Sequence, residues 1–207
     1  MSLDIWPLVH AERRALLADL KTIPDAAAWD TPSLCEQWTV RDCLAHMTST
    51  ARTSPVAFAT GLLPARFSLK RFVATGVERE RDGDLQATIN NFEAALESTT
   101  APPGPKLSWL GETIVHAEDI RHALGMVHDY PPEALRAVAD FYLKSDTLIG
   151  ARSRVAGLRL EADNADWSHG SGLPVRGPLL ALLMAMAGRI AFLDELSGTG
   201  VSVLRVR

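Results

Sequence analysis

Apolar positions recur every three to four residues through roughly the first 150 residues of the chain, a spacing that repeatedly lines one face of a helix. Ile5, Leu8, Ala11, Leu16, Leu17 and Leu20 predict a helix over 4–21, ended by Pro24 and Asp25. After the connection WDTPSLCEQW, Thr39-Val40-Arg41-Asp42 has the capping-box pattern, so a second helix is expected to start near 40. Val40, Cys43, Leu44, Met47 and Ala51 form its apolar stripe, and the Pro- and Gly-containing segment 55–64 is where it is expected to fade. Residues 65–76 give only a weak periodic signal for a further short helix. A clearer line, Leu85, Ile89, Phe92 and Leu96, follows Asp84 as cap over 84–98, and TTAPPGP breaks it. The next helix spans 107–125, with Ser108 as its expected cap and Gly125 at the left-handed C-terminal position. A fifth stretch, 132–150, opens on Pro132. Four or five helices joined by loops predict an antiparallel bundle.

After about residue 153 the period changes from helical spacing to alternation. Residues 155–163 read as a strand, most cleanly over 158–163, and DNADWSHGSG is a turn-rich connection. LPVRG is a short strand, PLLALLMAMAGRIAFLDEL is an apolar helix with Pro178 in its first turn, and GVSVLRVR alternates like a terminal strand. The chain therefore divides into a helical bundle over 1–153 and a small α/β domain over 154–207.

Composition narrows the functional classes. With 47% hydrophobic and 22% charged residues among 207, the sequence can bury a core and is not that of a disordered chain. A net charge of −4 argues against a broad phosphate-binding surface, so no nucleic-acid partner is expected. The longest apolar run, 177–188, is too short to cross a bilayer, and the N-terminal stretch carries AERR where a signal peptide needs an apolar core. A cytoplasmic, soluble protein without a membrane partner is the expectation. Cys35 and Cys43 form no CxxC pair and read as small core side chains in a reducing compartment.

Against this background one polar line stands out. Glu112 and His116 are four residues apart, about 40 degrees around a helix axis, and project side by side. Asp119 continues the line, which Trp109, Thr113, Ile120 and Val115 flank. A Glu-x-x-x-His pair is by itself as consistent with a helix-surface ion pair or a satisfied core hydrogen bond as with a site. His46, at the edge of the second helix's apolar stripe, adds a third donor if the two helices adjoin. Two imidazoles and a carboxylate suit a divalent ion with a position left open for water or substrate. Zn²⁺ is the default, with Ni²⁺, Fe²⁺ and Mn²⁺ compatible with the same donors. Asp119, one turn beyond His116, can accept the other ring proton and fix the tautomer, or pair with Arg121 or Arg41.

The same residues carry a resemblance. CEQWTVRDCLAHM at 35–47, GETIVHAEDIRHALG at 111–125 and the tail from ADNADWSHGSG onward resemble the mycothiol-dependent maleylpyruvate isomerase family, a branch of the DinB-like metal-binding helical bundles. The resemblance implies a mainly α fold, a DinB-like antiparallel four-helix bundle followed by a small sterol-carrier-like α/β domain. It implies a divalent metal on His46, Glu112 and His116. It also implies mycothiol as thiol cosubstrate, activated as the thiolate for isomerisation of, or transfer to, a small electrophile. A metal-dependent hydrolase and a non-catalytic binding module, in which the polar residues form only a core network, are the competing readings. A monomer or a homodimer is compatible with the sequence. Of the remaining residues, Trp38 reads as a hydrophobic staple for the second helix, with lining of the metal cleft as its other reading. Trp167 and His169 brace a turn, Arg189 meets a helix end, Arg205 and Arg207 lie on the terminal strand, and SGTG at 197–200 is a turn and not a phosphate loop.

Overall fold

A computed structural model describes residues 3–144, 146 and 149–207. The chain separates into two compact units, residues 1–128 and 129–207. The boundary lies upstream of the change of period near 153, because the helix that begins at Pro132 packs on the apolar helix that begins at Leu179.

Among its described residues the first unit holds a 3-10 helix (Ala26–Asp30) and six α-helices: α1 (Trp6–Leu20), α2 (Val40–Arg52), α3 (Pro55–Leu62), α4 (Leu69–Arg81), α5 (Leu85–Glu93) and α6 (Lys106–Ala123). Helix α2 is the centre, packed on α4, α5 and α6, while α1 packs on α6 and α5. Its start is set as the sequence predicts: Asp42 N–H donates to Thr39 Oγ1 at 3.2 Å, and Thr39 N–H donates back to Asp42 Oδ2 at 3.0 Å. Asp84 caps α5, and Gly125 takes its left-handed conformation (φ 66°) just beyond α6.

Three expectations change in this unit. Segment 55–64 is not a fading end, because Ser54 caps a new helix with Pro55 in its first turn. The weak signal at 65–76 is a helix of 13 residues shifted toward the C-terminus, capped by Ser68. Ser108 does not cap α6: Pro105 occupies that position, and the Ser108 hydroxyl lies inside the first turn and donates to the Pro105 carbonyl.

The core of this unit joins Leu16, Leu17 and Leu20 of α1 to Val40, Cys43, Leu44 and Met47 of α2, Phe92 of α5, and Ala117 and Ile120 of α6. Three buried charges at its margin are engaged. Glu12 accepts from His128 Nε2 at 2.8 Å, Arg13 donates to the Ala95 and Ser98 carbonyls, and Arg121 Nε donates to Asp19 Oδ2 at 2.8 Å.

The second unit contains α7 (Pro132–Tyr142), α8 (Ala151–Arg154), strands β1 (Leu158–Ala162), β2 (Ser168–Gly170) and β3 (Leu173–Gly177), then α9 (Leu179–Met186) and α10 (Val201–Arg205). The sheet order is β2-β1-β3, with β1 antiparallel to β2 and parallel to β3, pairing Leu160 with His169 and with Val175. Helix α7 stops at Tyr142; residues 145, 147 and 148 of the expected 132–150 helix lie outside the described residues. The apolar helix from 178 breaks at Gly188, which has φ 87°, and resumes as a 3-10 helix over Ile190–Glu195.

The expected terminal strand is a helix. The free edge of β3 is taken by Ser197, which exchanges two 2.8 Å hydrogen bonds with Arg176, and the chain then turns into α10 with only Leu204 buried. Arg205 pairs with Asp194, and Arg207 donates to the Arg154 and Ala156 carbonyls. Trp167 donates to Asp140 Oδ1 and so ties the β1–β2 connection to α7. Among the described residues no helix is long and apolar enough to cross a membrane.

Candidate metal centre

Packing of α2 against α6 brings the three donors together. One ligand atom each from His46, Glu112 and His116 lies within 4.8 Å of the other two, and His46 Nε2 stands 3.8 Å from Glu112 Oε1. The distance is too long for a hydrogen bond. It suits two ligands of one ion, because bonds of about 2.1 Å in a tetrahedral site separate donor atoms by about 3.4 Å. The imidazoles of His46 and His116 meet edge to face, with centroids 4.8 Å apart at 79°.

Glu112 Oε1 is buried and has no hydrogen-bond partner. A buried polar atom left unpaired costs about 1–3 kcal/mol. A divalent ion between Glu112 and His46 would supply the missing partner, so the residues present fit the group that the donor set suggests. Burial raises the Glu112 carboxyl above its usual range, against the pull of His116 and Arg13 and of hydrogen bonding from Thr50 and Thr113. Burial, reinforced by the neighbouring His116, pushes His46 well below the usual imidazole range and keeps it neutral, as a ligand must be.

Asp119 takes the far side of His116. The carboxylate is fully buried, and its Oδ2 accepts from His116 Nδ1 at 3.0 Å. In the neutral ring the proton is thereby held on Nδ1, and the Nε2 lone pair is left for the cluster. Burial opposes an imidazolium at His116, yet Cys43 and the Asp119 hydrogen bond together hold its pKa well above the usual value. Of these two groups Asp119 is the effective one at neutral pH, because burial pushes the Cys43 thiol up to about 11 and leaves it uncharged.

The loop before α2 closes the third side. Leu34 N–H donates to the Asp119 carbonyl at 3.3 Å, Ser33 Oγ donates to the Trp38 carbonyl, and Gln37 turns the chain with φ 69°. This presents the Trp38 ring to both imidazoles, at centroid distances of 4.6 Å to His46 and 6.0 Å to His116. Trp38 thus lines the cleft, the less favoured of its two sequence readings. The half-buried Cys35 also differs from its expected core role: its sulfur lies within 4.8 Å of donor atoms of His116 and Asp119. Both residues sit in an irregular loop with no period. The one available signal was their place immediately before the capping box.

Cys35, His116 and Asp119 form a second donor group that shares His116 with the first. Asp119 Oδ2 is already committed to Nδ1, whereas Glu112 Oε1 is not, so the His46–Glu112–His116 set has the freer carboxylate.

A family model described as the mycothiol maleylpyruvate isomerase N-terminal domain matches residues 9–121, more than half of the chain. The fold is similar to that of the mycothiol-dependent maleylpyruvate isomerase in two crystal structures. One, of a histidine-to-alanine mutant, gives a TM-score of 0.62 at 17% identity; the other gives 0.60 at 18%. In both cases 94% of this chain and 91% of the other are covered. No curated protein sequence matches significantly.

Proposed function

Because this chain belongs to the mycothiol maleylpyruvate isomerase family, we propose that it is a divalent-metal-dependent enzyme that uses mycothiol to isomerise, or to transfer the thiol to, a small electrophilic substrate. The observation that carries the metal half is the unpaired, buried Glu112 Oε1 facing His46 Nε2 at 3.8 Å within the three-donor cluster. His46, Glu112 and His116 would hold the ion, Zn²⁺ by the softness of a thiol partner. When bound, such an ion acts as a Lewis acid that lowers a thiol's pKa and keeps it as thiolate near neutral pH.

The chain's own residues supply orientation and exclusion of water. Asp119 keeps a proton on His116 Nδ1, so that once Nε2 gives up its own proton to a binding ion the lone pair there faces the cluster. Trp38 lays an apolar ring over the two imidazoles and shields one side of the cluster. Neutral His46 beside buried Glu112 leaves the three donors with a net charge of −1 when Glu112 is ionised and both rings are neutral, a charge that a divalent cation more than offsets. In the isomerisation, a thiolate adds to an activated cis double bond, the resulting single bond rotates, and elimination returns the thiol with the trans product.

The test is a turnover assay with mycothiol and maleylpyruvate, followed by chelation and readdition of Zn²⁺. Formation of the trans isomer should require both thiol and metal and should be lost in His46→Ala. Turnover of maleylpyruvate without thiol, or undiminished after the metal is removed and verified absent, contradicts the proposal.

A further inference from the structure

A cavity of about 630 Å³ lies in the first unit, between α2, α3 and α4. None of its lining residues is His46, Glu112, His116, Asp119 or Trp38. Its volume is that of a small-molecule pocket. Its apolar wall is made of small residues, among them Ala57, Ala65 and Ala74, around the Phe72 ring. The wall is held in place: Phe72 meets Phe58 edge to face at 5.2 Å, and a Cβ on Gly61 would stand 2.6 Å from Phe72. Glycine at 61 therefore lets α3 close on that ring. A Cβ on Gly76 would stand 2.3 Å from Ser49 Oγ, so glycine there likewise lets α4 approach α2.

The charge of the region is unlike that of the chain. Residues 43–77 contain no Asp or Glu, although the whole sequence has 25 acidic residues among 207 and a net charge of −4. Three arginines, Arg52, Arg71 and Arg79, line the cavity against Glu78 and Glu80, an excess of one positive charge. Glu80 is buried and fully used, with Oε2 on Arg52 at 2.8 Å and Oε1 on Arg79 at 3.1 Å. Arg71 is exposed at the cavity and has, among the described residues, neither an acidic partner nor a side-chain hydrogen bond. Along the same stretch of chain, Val56, Leu63, Phe67 and Leu69 are exposed, at 73%, 65%, 74% and 49% of their surface. Helix α3 buries none of its eight residues. A guanidinium beside a cavity with one apolar wall recognises a ligand with both parts.

We infer that the cavity between α2, α3 and α4 binds a small amphiphilic anion, whose apolar body rests on Phe72 and the small residues and whose carboxylate or other acidic group meets Arg71. The inference is independent of the metal site and needs neither the ion nor the thiol. The probes are octanoate, octylammonium and acetate, titrated calorimetrically into the full-length protein. Octanoate should bind saturably at one per chain; octylammonium and acetate should not bind at comparable concentration. Arg71→Glu, a surface change that leaves the core untouched, should weaken octanoate roughly tenfold or more. Ala57→Trp, which fills the apolar part, should do the same while Arg71 remains. Both variants should keep the metal content of the unmodified protein. Equal binding of octanoate and octylammonium, octanoate binding unchanged in Arg71→Glu, or no octanoate binding at all overturns the inference.

Discussion

Asp119 Oδ2 accepts from His116 Nδ1 at 3.0 Å, across one turn of a single helix, with the carboxylate wholly out of solvent. The arrangement orients the imidazole and, in its neutral form, favours the Nδ1–H tautomer, as a metal ligand requires. Asp119→Asn keeps the size of the side chain and removes the negative charge. It should lower metal affinity about ten- to hundredfold, measured by competition with a calibrated chelator, while the far-ultraviolet circular dichroism stays unchanged. Affinity equal to that of the unmodified protein would leave Asp119 with a purely structural part.

The two cysteines should differ in reactivity. Cys43 is fully buried and burial lifts its thiol to about 11. Because only the thiolate is alkylated and a raised pKa favours the thiol, Cys43 stays unreactive until the pH approaches that value. Cys35 is half-buried in the loop. Native protein treated with iodoacetamide at pH 8 should carry one adduct, on Cys35, by peptide mass spectrometry. Rapid modification of Cys43 at that pH contradicts the assignment.

Trp38 is expected to report on the ion. Its ring centroid is 4.6 Å from that of His46, so Co²⁺ held by the cluster should quench its emission. The chain has five tryptophans, and the quench should therefore be partial. Trp38→Phe should abolish most of it without changing Co²⁺ stoichiometry. An undiminished quench in the variant would remove Trp38 from the cleft.

The reciprocal Thr39–Asp42 cap starts the helix that carries Cys43 and His46. Thr39→Ala removes one side of it and should cost about 1 kcal/mol in unfolding free energy, read as a lower urea midpoint with the slope unchanged. A midpoint equal to that of the unmodified protein contradicts the role of the cap.

Much of this was written in local sequence. The capping box, the Asp84 cap and the Gly125 terminus depend on neighbours within four residues, and the structure has all three. The spacing of Glu112 and His116 on one helix is equally local. That His46 meets them depends on how α2 packs on α6, which no single stretch of chain encodes and which the resemblance to a known family anticipated. Helices α3 and α4 were obscured because α3 buries none of its residues and so carries no amphipathic stripe, leaving Ser54 and Ser68 as the signals. The terminal segment misled for the opposite reason: Val201 and Val203 alternate as in a strand, but Ser197 already occupies the sheet edge. Trp38 and Cys35 belong to a loop whose shape is set by hydrogen bonds such as that from Leu34 N–H to the Asp119 carbonyl, a contact between distant positions.

The decisive measurement is anomalous diffraction at the zinc edge from crystals grown with Zn²⁺. The account predicts one peak about 2.0–2.2 Å from His46, Glu112 Oε1 and His116, with Asp119 still on Nδ1 and a coordination position open. A zinc peak elsewhere, with the three side chains drawn apart and Glu112 Oε1 paired to a protein donor, would contradict it.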